Sequence, residues 1–191
     1  MSTSMLPSAA DSEMDNTLAH SVSQRPEAFA ELYQRHILKV YRYHLARTGN
    51  VADAQDLTSQ TFMAALEGIA GFHGTGSFVA WLMGIACHKC AFFFRHRKPE
   101  VSLEVVEDRP ALGIPAEQSI DERLQIEQIQ RALRTLSPER AEALALCLFG
   151  DLTAAEAGHV LGKSEAAVKM LVFRGLRDLR HQLVQSLEEL V

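Results

Sequence analysis

Apolar residues recur three and four apart through most of this chain, and that spacing points to an all-α fold. In "RPEAFAELYQRHILKVYRYHLARTG", Phe29, Leu32, Tyr33, Ile37, Val40, Tyr41 and Leu45 share one helical face, and Gly49 ends the pattern. "NVADAQDLTSQTFMAALEGIAGF" offers Asn50 as a cap, then a stripe of Ala54, Leu57, Phe62, Ala65 and Leu66. A third helix, "GSFVAWLMGIACHKCAFFFRHRK", follows a Gly74-Thr75-Gly76 loop and ends in a basic cluster. A shorter one is expected within "DNTLAHSVSQ". No pair of alternating segments flanks a hairpin turn, so no sheet is expected.

The periodicity lapses once, in "PEVSLEVVEDRPALGIPAEQSIDERLQIE", which holds three of the six prolines. The same stretch is acidic, with eight Asp and Glu against two Arg, and it accounts for most of the formal charge of −5. On either side the balance is mildly basic or neutral. The expected organisation is a tail at 1–14, a helical domain at 15–98, an acidic linker at 99–126 and a second helical domain at 127–191. With 191 residues, each domain sits near the lower limit for a core of its own. No apolar run approaches the roughly 20 residues that span a bilayer, so no membrane insertion is expected. The start lacks the basic and apolar regions of a secretory leader. Three cysteines without framework spacing suit a reducing compartment. A cytoplasmic protein is expected.

The second domain has its own punctuation. Ser137-Pro138-Glu139 reads as an N-cap with proline at the first helical position. Thr153 and Glu156 have the spacing of a capping box. Gly162 closes that short helix, and Ser164 caps the next. A short helix, a glycine turn and a longer helix make a helix-turn-helix, whose second helix can enter a major groove. On that helix Val168, Leu171, Val172, Gly175 and Leu179 share the inward face. Ala166, Lys169, Met170, Phe173, Arg174, Arg177 and Arg180 face outward, as groove binding requires of its cations. A solvated basic face on a protein-docking helix is the plainer alternative.

Three segments together carry a resemblance: "PEAFAELYQRHILKVYRYHLARTGNVADAQDLTSQTFMAAL", "GSFVAWLMGIA" and "ALRTLSPERAEALALCLFGDLTAAEAGHVLGKSEAAVK". In this order they resemble the extracytoplasmic-function (ECF) group of bacterial RNA polymerase sigma factors, over roughly Asp15 to Leu183. The resemblance implies a region 2 bundle and a region 4 helix-turn-helix. It also implies core RNA polymerase and promoter DNA as partners and leaves an anti-sigma factor open as a third. It implies no catalysis and no cofactor, and the sequence shows no nucleophile–base pair or phosphate loop. An acidic chain is compatible with promoter binding because the polymerase core supplies much of the electrostatic attraction.

By the same resemblance Asp53, Gln55, Asp56, Leu57, Gln60 and Phe62 dock on polymerase, although Leu57 and Phe62 also fit a bundle core. His73, Thr75, Ser77, Lys89, Arg95, Arg97 and Lys98 meet the downstream promoter element, and Trp81 packs beside Phe78, Leu82 and Ile85. Ser164, Ala166, Lys169, Phe173, Arg174 and Arg177 meet the upstream element. The chain departs from the family at Gly84, Cys87, Phe92 and Leu171, where basic or polar residues are common. Ala157 replaces a larger aliphatic residue. Cys87 and Cys90 share a face with Met83 and Phe94, which favours packing against a helix or a partner over a metal or redox site. Cys147 reads as core. Two other functions fit parts of this pattern: a dimeric operator-binding regulator, and a sigma-like protein that docks without initiating.

Overall fold

A computed structural model describes residues 9–96 and 131–188, and every regular element among them is helical. They are α1 (Ala9–Ser21), α2 (Glu27–Thr48), α3 (Val51–Gly68), a 3₁₀ turn (Ile69–Gly71), α4 (Phe78–His96), α5 (Pro138–Leu148), α6 (Ala154–Leu161) and α7 (Glu165–Glu188). The linker expected at 99–126 lies outside the described residues.

Local chemistry sets most boundaries. Gly49 adopts φ 69°, a left-handed conformation that costs glycine little, and its N–H caps the Leu45 carbonyl. Asn50 then accepts from the Asp53 N–H at 3.0 Å to start α3. The capping box of α6 is complete: Thr153 Oγ1 accepts from the Glu156 N–H, and the Glu156 carboxylate accepts from the Thr153 N–H. Two boundaries differ from expectation. Helix α1 begins at Ala9, inside the expected tail, because Asp15, Leu18, Ala19 and Val22 are all buried and give the preceding turn a reason to form. Ser137 stands at the N-cap of α5, but its side chain makes no capping bond; proline supplies the geometry instead.

Helices α1–α4 form one bundle and α5–α7 a second unit against it. Asp15, nearly inaccessible, ties α1 to α2 through Arg35 Nε and His36 Nε2, both at 2.8 Å. The two units share one apolar interior. Leu32, Val40, Leu82 and Met83 belong to the same buried cluster as Ala143, Leu146, Leu152 and Val168. Polar ties reinforce the seam: Lys39 Nζ lies 3.2 Å from Asp151 Oδ2, and Arg134 donates to the Thr48 carbonyl at 3.2 Å. By length and composition α4 is also apolar enough to cross a membrane. Its Phe78, Val79, Leu82, Met83, Ala86 and Cys90 are buried against the other helices.

His44 lies fully inside the first bundle. The Thr61 hydroxyl donates to the Leu57 carbonyl, so at 3.0 Å it accepts from His44 Nε2–H. Nδ1 is left unprotonated and without a partner. Burial lowers the imidazole from 6.5 to about 3. The folded state therefore keeps His44 neutral while the unfolded chain takes a proton below about pH 6.5. Its contribution is complete above that value and is lost progressively as pH falls towards 3. Urea unfolding at pH 5 should show about 2 kcal/mol less stability than at pH 7 from this group. His44→Gln should remove most of that slope.

Candidate polymerase and promoter interfaces

The exposed face of α3 carries Asp56 and Gln60, one turn apart, with Gln60 Nε2 donating to Asp56 Oδ2 at 2.7 Å. Asp53 and Gln55 are half-buried beside them. Leu57 and Phe62 are not on this surface. Only 3% and 4% of their surface is accessible, and Phe62 packs edge-on against Tyr33 at 4.7 Å. Their place in the polymerase-facing set is corrected: apolar stripe positions went to the bundle core, as their spacing also allowed. Leu66, expected on that stripe, is 51% exposed, and Met63 is 63% exposed. These two give the Asp56–Gln60 face an apolar component that stripe reasoning missed. The fact that Met63 lies off the stripe was the available clue.

A second surface surrounds the loop between the 3₁₀ turn and α4. A cleft of about 660 Å³ is lined by His73, Thr75, Ser77 and Lys89 and floored by Trp81. Trp81 stacks obliquely on Phe72 and Phe78, each at 5.6 Å, so it is partly core and partly cleft. Ser77 Oγ accepts from the Ala80 N–H and starts α4. Its hydroxyl donates to Glu156 Oε1 in α6, and Glu156, His159 and Val160 close the other side of the cleft. Burial pushes the Glu156 carboxyl up, but hydrogen bonds from Ser77 and Thr153 outweigh it and hold the group below its usual range. One carboxylate thus caps its own helix and holds the loop of the other unit. Arg95 is exposed near the end of α4, away from the cleft lining. Arg97 and Lys98 lie outside the described residues.

The third surface is the outer side of α7. Val168 is buried, Leu171, Val172 and Leu179 pack inward, and Gly175 lets α7 approach Leu144 of α5. Ser164, Ala166, Lys169, Phe173, Arg174 and Arg177 are all exposed on the opposite side. Ser164 Oγ also accepts from the Ala167 N–H and starts the helix. Lys169 pairs with Glu165 at 2.6 Å, so this cation is partly satisfied within the helix. Leu171 sits half-buried, in keeping with its apolar chemistry.

Residues 32–100 match the Sigma-70 region 2 family and residues 126–179 match Sigma-70, region 4. The chain is 35% identical over 181 residues to the ECF RNA polymerase sigma factor BldN of Streptomyces coelicolor, covering 92% of this chain and 69% of the relative. The chain belongs to the ECF RNA polymerase sigma factors. Similarity extends to the sigma factor SigE of Mycolicibacterium smegmatis, 31% identical over 164 residues, with 83% of this chain and 63% of SigE covered. The fold resembles CnrH, solved in complex with the cytosolic domain of CnrY: TM-score 0.71, 24% identity, 90% of this chain and 97% of that one.

As a sigma factor the chain binds core RNA polymerase and directs recognition of promoter DNA. The helix-turn-helix expected from Thr153 to Arg180 is the α6–Gly162–α7 unit of region 4. A dimeric operator-binding regulator would leave the region 2 match without a purpose, and that alternative is not favoured.

The thiols of this sigma factor face the seam between regions 2 and 4. Cys90 is buried and Cys87 half-buried beside Tyr43 and Glu142. Burial, with the Glu142 carboxylate adding to it, pushes Cys87 up to about 12 and Cys90 to about 11. At neutral pH both are therefore held mainly as thiols, the less reactive form. Among the described residues no group of three or more His, Cys, Asp or Glu is arranged to hold a metal. Cys147 is half-buried against the core.

Proposed function

We propose that the three surfaces divide the work of initiation. The α3 face with Asp56 and Gln60, flanked by Asp53, Gln55, Met63 and Leu66, docks on core polymerase. The cleft at His73, Thr75, Ser77 and Lys89 takes unstacked bases of the downstream element, with Arg95 serving the backbone. The outer side of α7 enters the major groove of the upstream element. There Lys169 and Arg174 lie near the base edges, Arg177 lies along the phosphates, and Ser164, Ala166 and Phe173 line the approach. The observation that carries this reading is the cleft: a polar loop beside a partly exposed indole suits flipped bases better than duplex. The protein acts in the cytoplasm and performs no chemistry on its substrate DNA.

The same cleft is shared with α6 through Ser77 and Glu156, so promoter opening requires region 4 to leave it. Two proteins of similar fold were solved with bound partners. CnrH was captured with the cytosolic domain of CnrY, and RpoE of Bartonella quintana with the anti-sigma factor NepR. An anti-sigma factor that favours the closed form is the natural third partner here.

Transcription reconstituted with core polymerase tests the assignment. Asp56→Arg should weaken competition for core by at least tenfold, since reversing a rim charge sets like charges together. It should leave promoter preference unchanged. Unaltered core affinity in Asp56→Arg combined with Gln60→Ala would move the docking face elsewhere.

A further inference from the structure

Helix α1 grips the base-reading loop through one side chain. Asn16 Nδ2 donates to the Gly76 carbonyl at 3.0 Å, and Asn16 Oδ1 accepts from the Phe78 N–H at 2.8 Å. Both partners lie about sixty residues away, at the two ends of Ser77. A primary amide is the group that can do both, since the first bond needs a donor and the second an acceptor at nearly the same place. Leucine has neither, and aspartate keeps only the acceptor.

The bond to Phe78 fills a specific need. A helix begins with N–H groups that have no partner in their own helix. In α4, Ser77 Oγ satisfies Ala80 N–H, whereas Phe78 N–H is satisfied by Asn16 from another helix. One turn further along α1, His20 Nδ1–H donates to the Asn16 carbonyl at 2.6 Å, and the ring tilts on Phe72 at 5.5 Å. His20 also fills the space beside Gly74, where a β-carbon would lie 2.9 Å from its Cε1. Gly74 itself has φ 69°, a left-handed conformation that costs glycine little. Asn16 in turn is held in place because Asp15, its neighbour, is locked to Arg35 and His36.

We propose that Asn16 is a positioning residue for downstream-element recognition, setting the register of His73, Thr75 and Ser77 through Gly76 and the first turn of α4. The inference rests on the proposed reading of the cleft. Asn16 lies before residue 32, where the region 2 match begins, so α1 adds a control on the loop from outside the matched segment. Asn16 is partly covered by the loop and contacts no base itself.

The test is a duplex library randomised across both promoter elements, transcribed by holoenzyme and read by sequencing. Wild type sets the preferences at each position. Asn16→Ala should flatten discrimination at the downstream element and lower output from the best templates by roughly tenfold, the effect of losing one or two positioning hydrogen bonds. Preference at the upstream element and affinity for core should stay close to wild type, while the urea midpoint falls modestly because the Phe78 N–H loses its partner. Asn16→Asp, which keeps the acceptor for Phe78, should recover part of the discrimination. The emission of Trp81, the single tryptophan, should shift in Asn16→Ala as the cleft floor loosens.

Thr75→Ala and His73→Ala provide the control. If they too leave downstream preference unchanged, the reading of the cleft is wrong and this inference falls with it. If they alter preference but Asn16→Ala does not, the cleft reading stands and the role of Asn16 is refuted. Uniform loss across both elements would show Asn16 to be a structural residue only.

Discussion

Glu142→Ala should lower stability by about 3 kcal/mol, the low end of what removing one partner of a buried ion pair costs. Glu142 sits on α5 in region 4, and its partners sit on α2 in region 2. The Tyr43 hydroxyl donates to one carboxylate oxygen, and Arg47 Nη2 lies 3.0 Å from the other. Tyr43 is fully buried, and only 14% of the Arg47 side chain is accessible. Arg47 Nε already lacks a partner, so loss of the carboxylate takes from the guanidinium and the phenol the anion they share. The neighbours left to Arg47 are the Cys90 thiol and the Phe94 ring, 5.7 Å from its Cζ, and both are worth far less than a carboxylate. Glu142→Leu combined with Arg47→Met should be much milder, because no charge is stranded. A double-mutant cycle in urea measures the difference. Because the site spans the seam, Glu142→Ala should also separate unfolding into two steps, with region 4 leaving first. A single transition with an unchanged midpoint would show that apolar packing alone holds the seam.

Gly158→Val should be nearly as damaging, for a different reason. Gly158 is buried in α6, and its carbonyl accepts from the Lys163 N–H at 2.9 Å across the turn. A β-carbon here would lie 2.7 Å from the Lys163 carbonyl oxygen, a backbone atom that cannot swing aside. Relief requires opening the angle between α6 and α7. The expected cost is about 2–3 kcal/mol, with near-complete loss of upstream-element recognition by holoenzyme. Gly162 is the contrast. It has φ 63° but open space around it, so Gly162→Asn should cost only a few tenths of a kcal/mol. Equal damage at both positions would point to the whole turn rather than the Gly158–Lys163 approach.

Elements with local causes were legible from the chain alone. The capping box at Thr153 and Glu156, the Asn50 cap and the Gly49 and Gly162 stops each depend on residues within a few positions, and each was found where spacing placed it. The inward and outward faces of α7 followed for the same reason. What escaped depends on distant partners. Leu57 and Phe62 could have faced outward or inward until Tyr33 was known to cover Phe62. Ser77 read as a DNA-facing hydroxyl because nothing near it in the chain reveals Glu156, 79 positions away. Asn16 fell close to the expected boundary of the tail, since an asparagine whose partners are at 76 and 78 leaves no periodic trace. The apolar second face of α4 was legible, but not that it meets a carboxylate, a phenol and a guanidinium on the other side.

Glu156 has a quantitative consequence for affinity. The Ser77 hydroxyl has one proton and cannot donate it to that carboxylate and to a flipped base at once, so on the proposed reading the two forms of the sigma factor compete for one loop. Apparent affinity for the promoter is then the intrinsic affinity multiplied by the fraction of molecules that are open. A closed form favoured by about 2.7 kcal/mol would hide all but roughly one molecule in a hundred and weaken apparent binding about a hundredfold. Polymerase, by holding the two regions apart, would restore the whole factor without adding a single contact to DNA.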